Sequence, residues 1–371
     1  MILPRFYEHH CPTKILAGQM ALSNLTFEMQ RLGGSRALVI ADQSLARGLA
    51  LARLRQAYRD AGASLIEFIW NGDRPTANQA RAAADQFRQA GCDCLVALGS
   101  PATMNLTKAA AILSQGLDLQ TADIDTRLPL MIAVPTTYCA GQAVSNWYEI
   151  SAETGGARSF LKNDQLYPQL AVIDPINSLK ASDQQAFFYG LDALSLATQA
   201  FIGTTNPVVE IYASAAIELA RRYLARAAVV PADREASQAL ASASLYAGIA
   251  FSAEATGPLA ALADARQDRR LNGALLPLLL AFEAGRNPER VLALNETLGG
   301  GQLSDESQVL KPVELMQRIC WEAAAMAKAR LDLESLDLAQ SELETLAEKA
   351  SQSPFAGETS TDDLLAILRQ A

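Results

Sequence analysis

Five short, strand-like apolar runs in the first half of the chain, with no strand-like run after about residue 178, limit most tightly what this sequence can fold into. ALVIAD (37–42), SLIEFIW (64–70), CLVALG (94–99), LMIAVP (130–135) and LAVIDP (170–175) are aliphatic and β-branched, and are punctuated by Asp, Gly or Pro. Such runs read as buried strands. Amphipathic stretches such as LARLRQAYRDAGA and NQARAAADQFRQAGC fall between the first four, and β-α alternation of this kind encodes a parallel, helix-covered sheet. After about residue 178, long Ala/Leu/Glu/Arg segments with helical spacing take over, among them VVEIYASAAIELARRYLARA and VELMQRICWEAAAMAKARLDLE. The prediction is an α/β N-terminal domain with a parallel sheet over 1–177, followed by an all-α C-terminal domain over 178–371 and a cleft between them.

Composition narrows the partners. Half the residues are hydrophobic, 19% are charged and the net charge is -9, so no basic excess exists to neutralise the phosphates of a nucleic acid. Small metabolites are the expected ligands. The amino terminus, MILPRFYEHHCPTKIL, lacks a basic stretch followed by an apolar core, and runs such as ALLPLLLAF (274–282) are too short to span a bilayer. The five cysteines Cys11, Cys92, Cys94, Cys139 and Cys320 contain no C-x-x-C pair and read as reduced thiols of a cytoplasmic protein.

In an open parallel sheet, ligands gather beyond the carboxyl ends of the strands. Asp42 ends the first of the five runs, where its carboxylate can accept from a ribose diol and repel a 2′-phosphate, favouring NAD over NADP, or can simply cap a helix beginning near Ser44. Gly99-Ser100-Pro101-Ala102-Thr103 precedes a helix through Asn105 and Lys108. It reads either as a pyrophosphate cradle or as a plain strand-to-helix turn, since it has one glycine and Pro101 brings no N–H. Pro135-Thr136-Thr137 offers two hydroxyls, and Tyr138 after it is either an acid near a carbonyl or a core residue. Asp192 opens the helical half, with Leu196 one turn later on the same face.

The order PTKILAGQMAL (12–22), ALVIAD, LVALGSPATMNLTK, IAVPTT, LYPQLAVIDP, GLDALSLA, ASLYAGIAFS (243–252), NGALLP (272–277) and NPERVLAL resembles the iron-containing (group III) alcohol dehydrogenase family, within the dehydroquinate synthase-like fold. The resemblance spans nearly the whole chain. It implies a nucleotide-binding α/β domain, a helical metal-binding domain, hydride transfer between NAD(P) and an alcohol or aldehyde, and a homodimer. It also implies a divalent metal held by one Asp and three His, acting as a Lewis acid on the substrate oxygen. Residue by residue, it assigns Asp42 to the adenosine ribose, Gly99 with Ser100 and Asn105 to the phosphate loop, Thr136 and Thr137 to the adenine side, and Lys162 to a ribose or phosphate oxygen.

The same carry-over places the metal aspartate on Asp192, and the three histidines on Leu196, Ala260 and Asp268. The chain has only two histidines, His9 and His10, beside a presumed first strand. Iron or zinc is therefore not expected. Magnesium or manganese stays open, because Asp264 and Asp268, four residues apart on an expected helix, offer oxygen ligands alongside Asp192; the competing reading pairs these acids with Arg266, Arg269 and Arg270 on a solvated face. The phosphate and nicotinamide positions also depart from the family's G-G-G-S-x-x-D and A-G-T-G-S-E, through Pro101 and Tyr138. Three functions follow. One is an NAD(P)-linked oxidoreductase with an eroded metal site, using Tyr138 or Asp264 for proton transfer. Another is a catalytically silent relative that binds a nucleotide or metabolite as sensor or partner subunit. The third is a changed enzyme using a hard cation.

Overall fold

The computed structural model of the protein describes residues 4–72, 74–121, 123–152, 158–177, 183–230, 233–254, 256–332, 336 and 338–370. The chain divides into two compact units, Cys11–Leu179 and Met1–His10 with Lys180–Ala371. The expected boundary at 177/178 abuts residues 178–182, which lie outside the described residues. Among the described residues, 4–10, placed with the α/β half by sequence, group with the helical unit. Two contacts explain this: Asn206 Nδ2 donates to the Glu8 carbonyl at 2.7 Å, and the His9 ring stacks on Tyr212 with centroids 6.0 Å apart.

In the α/β unit the elements run β1 (Lys14–Ala17), α1 (Leu25–Arg31), β2 (Arg36–Asp42), α2 (Leu49–Asp60), β3 (Ser64–Trp70), α3 (Ala77–Gln89), β4 (Cys94–Gly99), α4 (Pro101–Ser114), β5 (Leu130–Pro135), β6 (Trp147–Ser151), β7 (Arg158–Lys162) and β8 (Leu170–Ile173). Six strands form a parallel sheet in the order β1-β8-β5-β4-β2-β3. Alternation along β2 explains why both faces are covered. Leu38 and Ile40 pack with Ala80, Phe87 and Leu106 of α3 and α4, while Val39 and Ala41 pack with Leu25, Met29, Leu54 and Tyr58 of α1 and α2. All five expected strands are present, with β8 shorter than LAVIDP. There Asp174 turns the chain, its Oδ1 accepting from the Ile176 N–H at 3.1 Å. The antiparallel hairpin β6–β7 was not foreseen, because WYEIS and RSFLK carry neither a long apolar run nor clean alternation.

The helical unit contains α5 (Asp183–Gly203), α6 (Pro207–Val229), α7 (Arg234–Glu254), α8 (Pro258–Arg266), α9 (Arg270–Ala274), α10 (Leu276–Arg286), α11 (Pro288–Thr297), α12 (Leu310–Ala327), α13 (Leu343–Ser351) and α14 (Thr361–Leu368). No strand follows β8 among the described residues. Proline at the first or second position starts α6, α8, α10 and α11, where its missing N–H has no helical partner to lose. Long helices α5, α6 and α7 pack on one another, and α8 and α9 lie against α5.

Candidate active site

The strand order reverses direction at β2: β3 lies on one side of it and β4 on the other. A crevice at the carboxyl ends of β2 and β4 follows from that reversal. Asp42 lies at the first of these ends and Gly99 at the second. Asp42 Oδ1 accepts from the backbone and hydroxyl of Ser44, capping a 3-10 turn at Gln43–Leu45. Oδ2 has no partner among the described residues. A Cβ on Gly99 would sit 2.5 Å from Thr103 Oγ1, so only glycine lets the strand pass this close to the first turn of α4. The same Thr103 hydroxyl accepts from Trp70 Nε1 at 3.2 Å.

Ser100 is the N-cap residue of α4 without a side-chain cap bond, and Pro101 follows at the first turn. Asn105 is half-buried, its Oδ1 accepting from Gln142 Nε2 at 2.7 Å. At β5, the Thr136 N–H donates to the Gly99 carbonyl at 3.1 Å. The hydroxyl oxygen of Thr137 is buried with no hydrogen-bond partner among the described residues. Tyr138 is buried, and Lys162 is exposed at the end of β7.

Sequence reasoning passed over Lys108. It is 1% exposed on α4, and its Nζ donates to the Ser145 carbonyl at 2.7 Å, Ser145 Oγ at 2.8 Å, the Trp147 carbonyl at 2.9 Å and the Gln142 carbonyl at 3.3 Å. Burial pulls its pKa well below the ordinary lysine value, while every partner is an acceptor, which suits a three-donor ammonium. Lys108 thus pins residues 142–147 to α4. Its signal in the sequence is a lone charge within the apolar PATMNLTKAAAILS.

In the helical unit, Asp192, Leu196 and Gln199 share one face of α5. Asp192 is 3% exposed, its Oδ2 accepting from Arg269 Nη1 at 2.9 Å and its Oδ1 from Asn272 Nδ2 at 2.6 Å. Asp268 accepts from Arg270 Nε and Nη2 at 2.9 and 2.6 Å. Burial raises its carboxyl pKa, but the hydrogen bonds and charge of Arg270 outweigh this and leave it below the ordinary value. Asp264 is buried, with Oδ2 accepting from Ser353 Oγ at 2.6 Å. The helical spacing expected for Asp264 and Asp268 fails because α8 ends at Arg266 and Gln267 turns left-handed at φ 62°. Among the described residues, no group of three or more His, Cys, Asp or Glu side chains could hold a metal ion. Gln199, unnoticed in the sequence, caps α8, with Oε1 accepting from the Leu259 and Ala260 N–H groups at 2.9 and 3.2 Å.

Past Gln199 opens a cavity of about 400 Å³ whose walls include Gly257, Phe282, Glu283, Arg286 and Asp363. Burial raises the Glu283 carboxyl pKa; Arg286 pulls it down and Asp363 pushes it up, and the net direction is upward. The folded state therefore keeps this proton to higher pH than the unfolded chain, and stability falls as pH rises from the ordinary glutamate pKa through the folded one. Glu283→Gln should flatten this fall. Thermal melts from about pH 4 to about pH 8 check it: wild type should lose stability relative to the variant as pH rises, and parallel curves would refute the assignment.

The family model described as iron-containing alcohol dehydrogenase matches residues 12–175, and that of the Fe-containing alcohol dehydrogenase family, C-terminal, matches 188–371. The chain is 30% identical over 286 residues to the 4-hydroxybutyrate dehydrogenase of Cupriavidus necator, covering 71% of this chain and 74% of that one. It is 24% identical to the NAD-dependent methanol dehydrogenase of Bacillus methanolicus, over 78% and 79% of the two chains. Its fold matches the crystal structure of a 1,3-propanediol oxidoreductase with a TM-score of 0.91 at 24% identity, covering 99% of this chain and 100% of the other.

Proposed function

We propose that the chain, which belongs to the iron-containing alcohol dehydrogenase family of oxidoreductases, interconverts small alcohols and aldehydes with NAD and without a histidine-held metal. The observation that carries the NAD reading is the buried hydroxyl of Thr137, two residues beyond the end of β5, which has no partner among the described residues. An orphaned buried hydroxyl calls for a ligand atom. The nicotinamide, when bound, supplies or takes up the hydride.

The chain's own residues would hold the dinucleotide. Asp42 Oδ2 accepts from ribose hydroxyls and repels a 2′-phosphate, which favours NAD over NADP. The first turn of α4, with Gly99 and Ser100 before it, turns backbone donors toward phosphate. We read the donor set at the metal positions as unfit for a divalent ion, since Leu196 and Ala260 bring no ligand, and Asp192 and Asp268 are each engaged by a guanidinium. The proton that completes the alcohol is assigned to water, because Tyr138 is 2% exposed and Asp264 accepts from Ser353. The working form in this reading is a cytoplasmic homodimer. No helix among the described residues is long and apolar enough to cross a membrane. A silent nucleotide-binding relative is the second reading, favoured by Pro101 at the start of α4 and by the commitment of Asn105 to Gln142.

Titration of the purified protein with NADH, followed by fluorescence, tests the proposal. Saturable binding at micromolar concentration is expected, weaker for NADPH, and Thr137→Val should loosen it by roughly 3- to 10-fold, the worth of one hydrogen bond. No binding up to millimolar NADH would sink the proposal.

A further inference from the structure

The cavity past Gln199 lies wholly within the helical unit, and no part of the oxidoreductase reading uses it. Its volume of about 400 Å³ falls in the ~300–1,000 Å³ range of small-molecule sites. One wall is the end of α10, whose Leu279, Phe282, Glu283 and Arg286 recur at helical spacing on a single face. Ile202 of α5, Pro258 of α8 and Ala356 add apolar surface.

Charge decides what such a cavity can hold. Arg286, the one cation among the described walls, is already engaged: its Nη1 pairs with Asp363 Oδ1 at 2.6 Å, and its guanidinium lies over the Phe282 ring, 5.2 Å from the centroid. The amino end of α8 has no donor to spare for an anion either. The Gly257 N–H donates to the Phe355 carbonyl, Pro258 has no N–H, and the Leu259 and Ala260 N–H groups donate to Gln199 Oε1. What remains unmatched is carboxylate. Glu283 accepts no side-chain hydrogen bond and makes no ion pair among the described residues, and Glu358, a further wall residue, is exposed. Glu283 also stands in the last turn of α10, where a helix dipole favours positive charge. No group of three or more His, Cys, Asp or Glu among the described residues could hold a metal ion, so the fitting cation is an organic one.

We propose that this cavity binds a small primary ammonium ion, its nitrogen donating to the Glu283 carboxylate and its alkyl chain lying against Ile202, Leu279 and Pro258. The ion brings Glu283 the opposite charge it lacks, and the chain covers apolar wall that water otherwise wets. The upward pKa shift of Glu283 expresses the same deficit: burial disfavours its charged form, and Arg286, committed to Asp363, does not offset this.

The experiment is isothermal titration calorimetry of the full chain with n-butylammonium chloride at neutral pH and constant ionic strength, with potassium chloride as the blank. One ion per chain should bind saturably, with a Kd of about 1 mM or tighter. Glu283→Gln keeps the shape of the side chain and should weaken binding by about 10- to 100-fold, the worth of a hydrogen bond to a charged group. A thermal melt shows that this variant is folded. Glu358→Gln should change binding by less than about 3-fold, as an exposed charge does. n-Butyltrimethylammonium, which keeps the charge without an N–H, and n-butanol, which keeps a donor without the charge, should both bind more weakly than n-butylammonium. No saturable heat up to roughly 100 mM, wild-type affinity in folded Glu283→Gln, a larger loss in Glu358→Gln than in Glu283→Gln, or equal binding of either analogue overturns the proposal. Neither NADH nor turnover enters the measurement, so the oxidoreductase reading and this site can fail separately.

Discussion

Lys108→Ala is expected to lower folding stability by about 3–5 kcal/mol. The estimate joins two losses. The Ser145 carbonyl would lose the donor that the lysine supplies, while the Gln142 and Trp147 carbonyls would each lose one of two donors, keeping Ser145 Oγ and Gln142 Nε2, and the vacated stem would leave a cavity among residues that are themselves buried. The lysine nitrogen also fastens the chain between β5 and β6 to α4, so its removal frees a connection as well as a contact. Lys108→Met separates these losses by filling the space without restoring the donors, and should recover part of the deficit. Thermal melts of the three proteins decide it. A shift of roughly 10 °C is expected for a unit of this size, and an alanine variant that melts like wild type would show that water satisfies these carbonyls instead.

Asp174→Ala should cost about 3 kcal/mol, the lower end of what breaking a buried ion pair costs. Asp174 has no exposed side-chain surface and its Arg53 partner 18%. Its Oδ2 accepts from Arg53 Nη2 at 2.6 Å and from the Leu22 N–H at 3.3 Å, and its Oδ1 from the Ile176 N–H at 3.1 Å. One carboxylate therefore joins α2, the turn after β1 and the end of β8. Alanine would leave a largely enclosed guanidinium whose remaining partners among the described residues are Asn177 and Met20. The double variant Arg53→Met with Asp174→Leu should be less damaged than the sum of the single changes, because it leaves no unpaired charge. Additive losses in denaturant unfolding would show that the two groups do not act as a pair.

The sheet was legible in the sequence because a strand buried on both faces must be apolar throughout, and ALVIAD, CLVALG and LMIAVP leave no other reading. The helical half was legible for the matching reason, since its 3.6-residue periodicity runs long and without strand-like interruptions. The hairpin β6–β7 was not, because Glu149, Arg158 and Lys162 break its pattern. The candidate residues of the two units differ in the same way. Asp42, Gly99 and Thr137 sit at strand ends, where topology alone directs attention. The partnership of Asp192 with Arg269 and Asn272 joins residues 77 and 80 positions apart, and no local spacing announces it. Asp264 and Asp268 misled because helical spacing presumes an unbroken helix, and a left-handed residue at 267 breaks it. Lys108 escaped because a charge in an apolar helix usually reads as surface.

The assignment of Glu8, His9 and His10 to the helical unit has a consequence for synthesis. Their partners Asn206 and Tyr212 lie on or just before α6, so they leave the ribosome about 200 residues later, a delay of roughly 10–40 s at ordinary elongation rates. Every element from β1 to β8 emerges within that interval. The α/β unit can thus complete its fold while the first segment of the helical unit still waits for a surface to dock on, and the unit begun first is the one finished last.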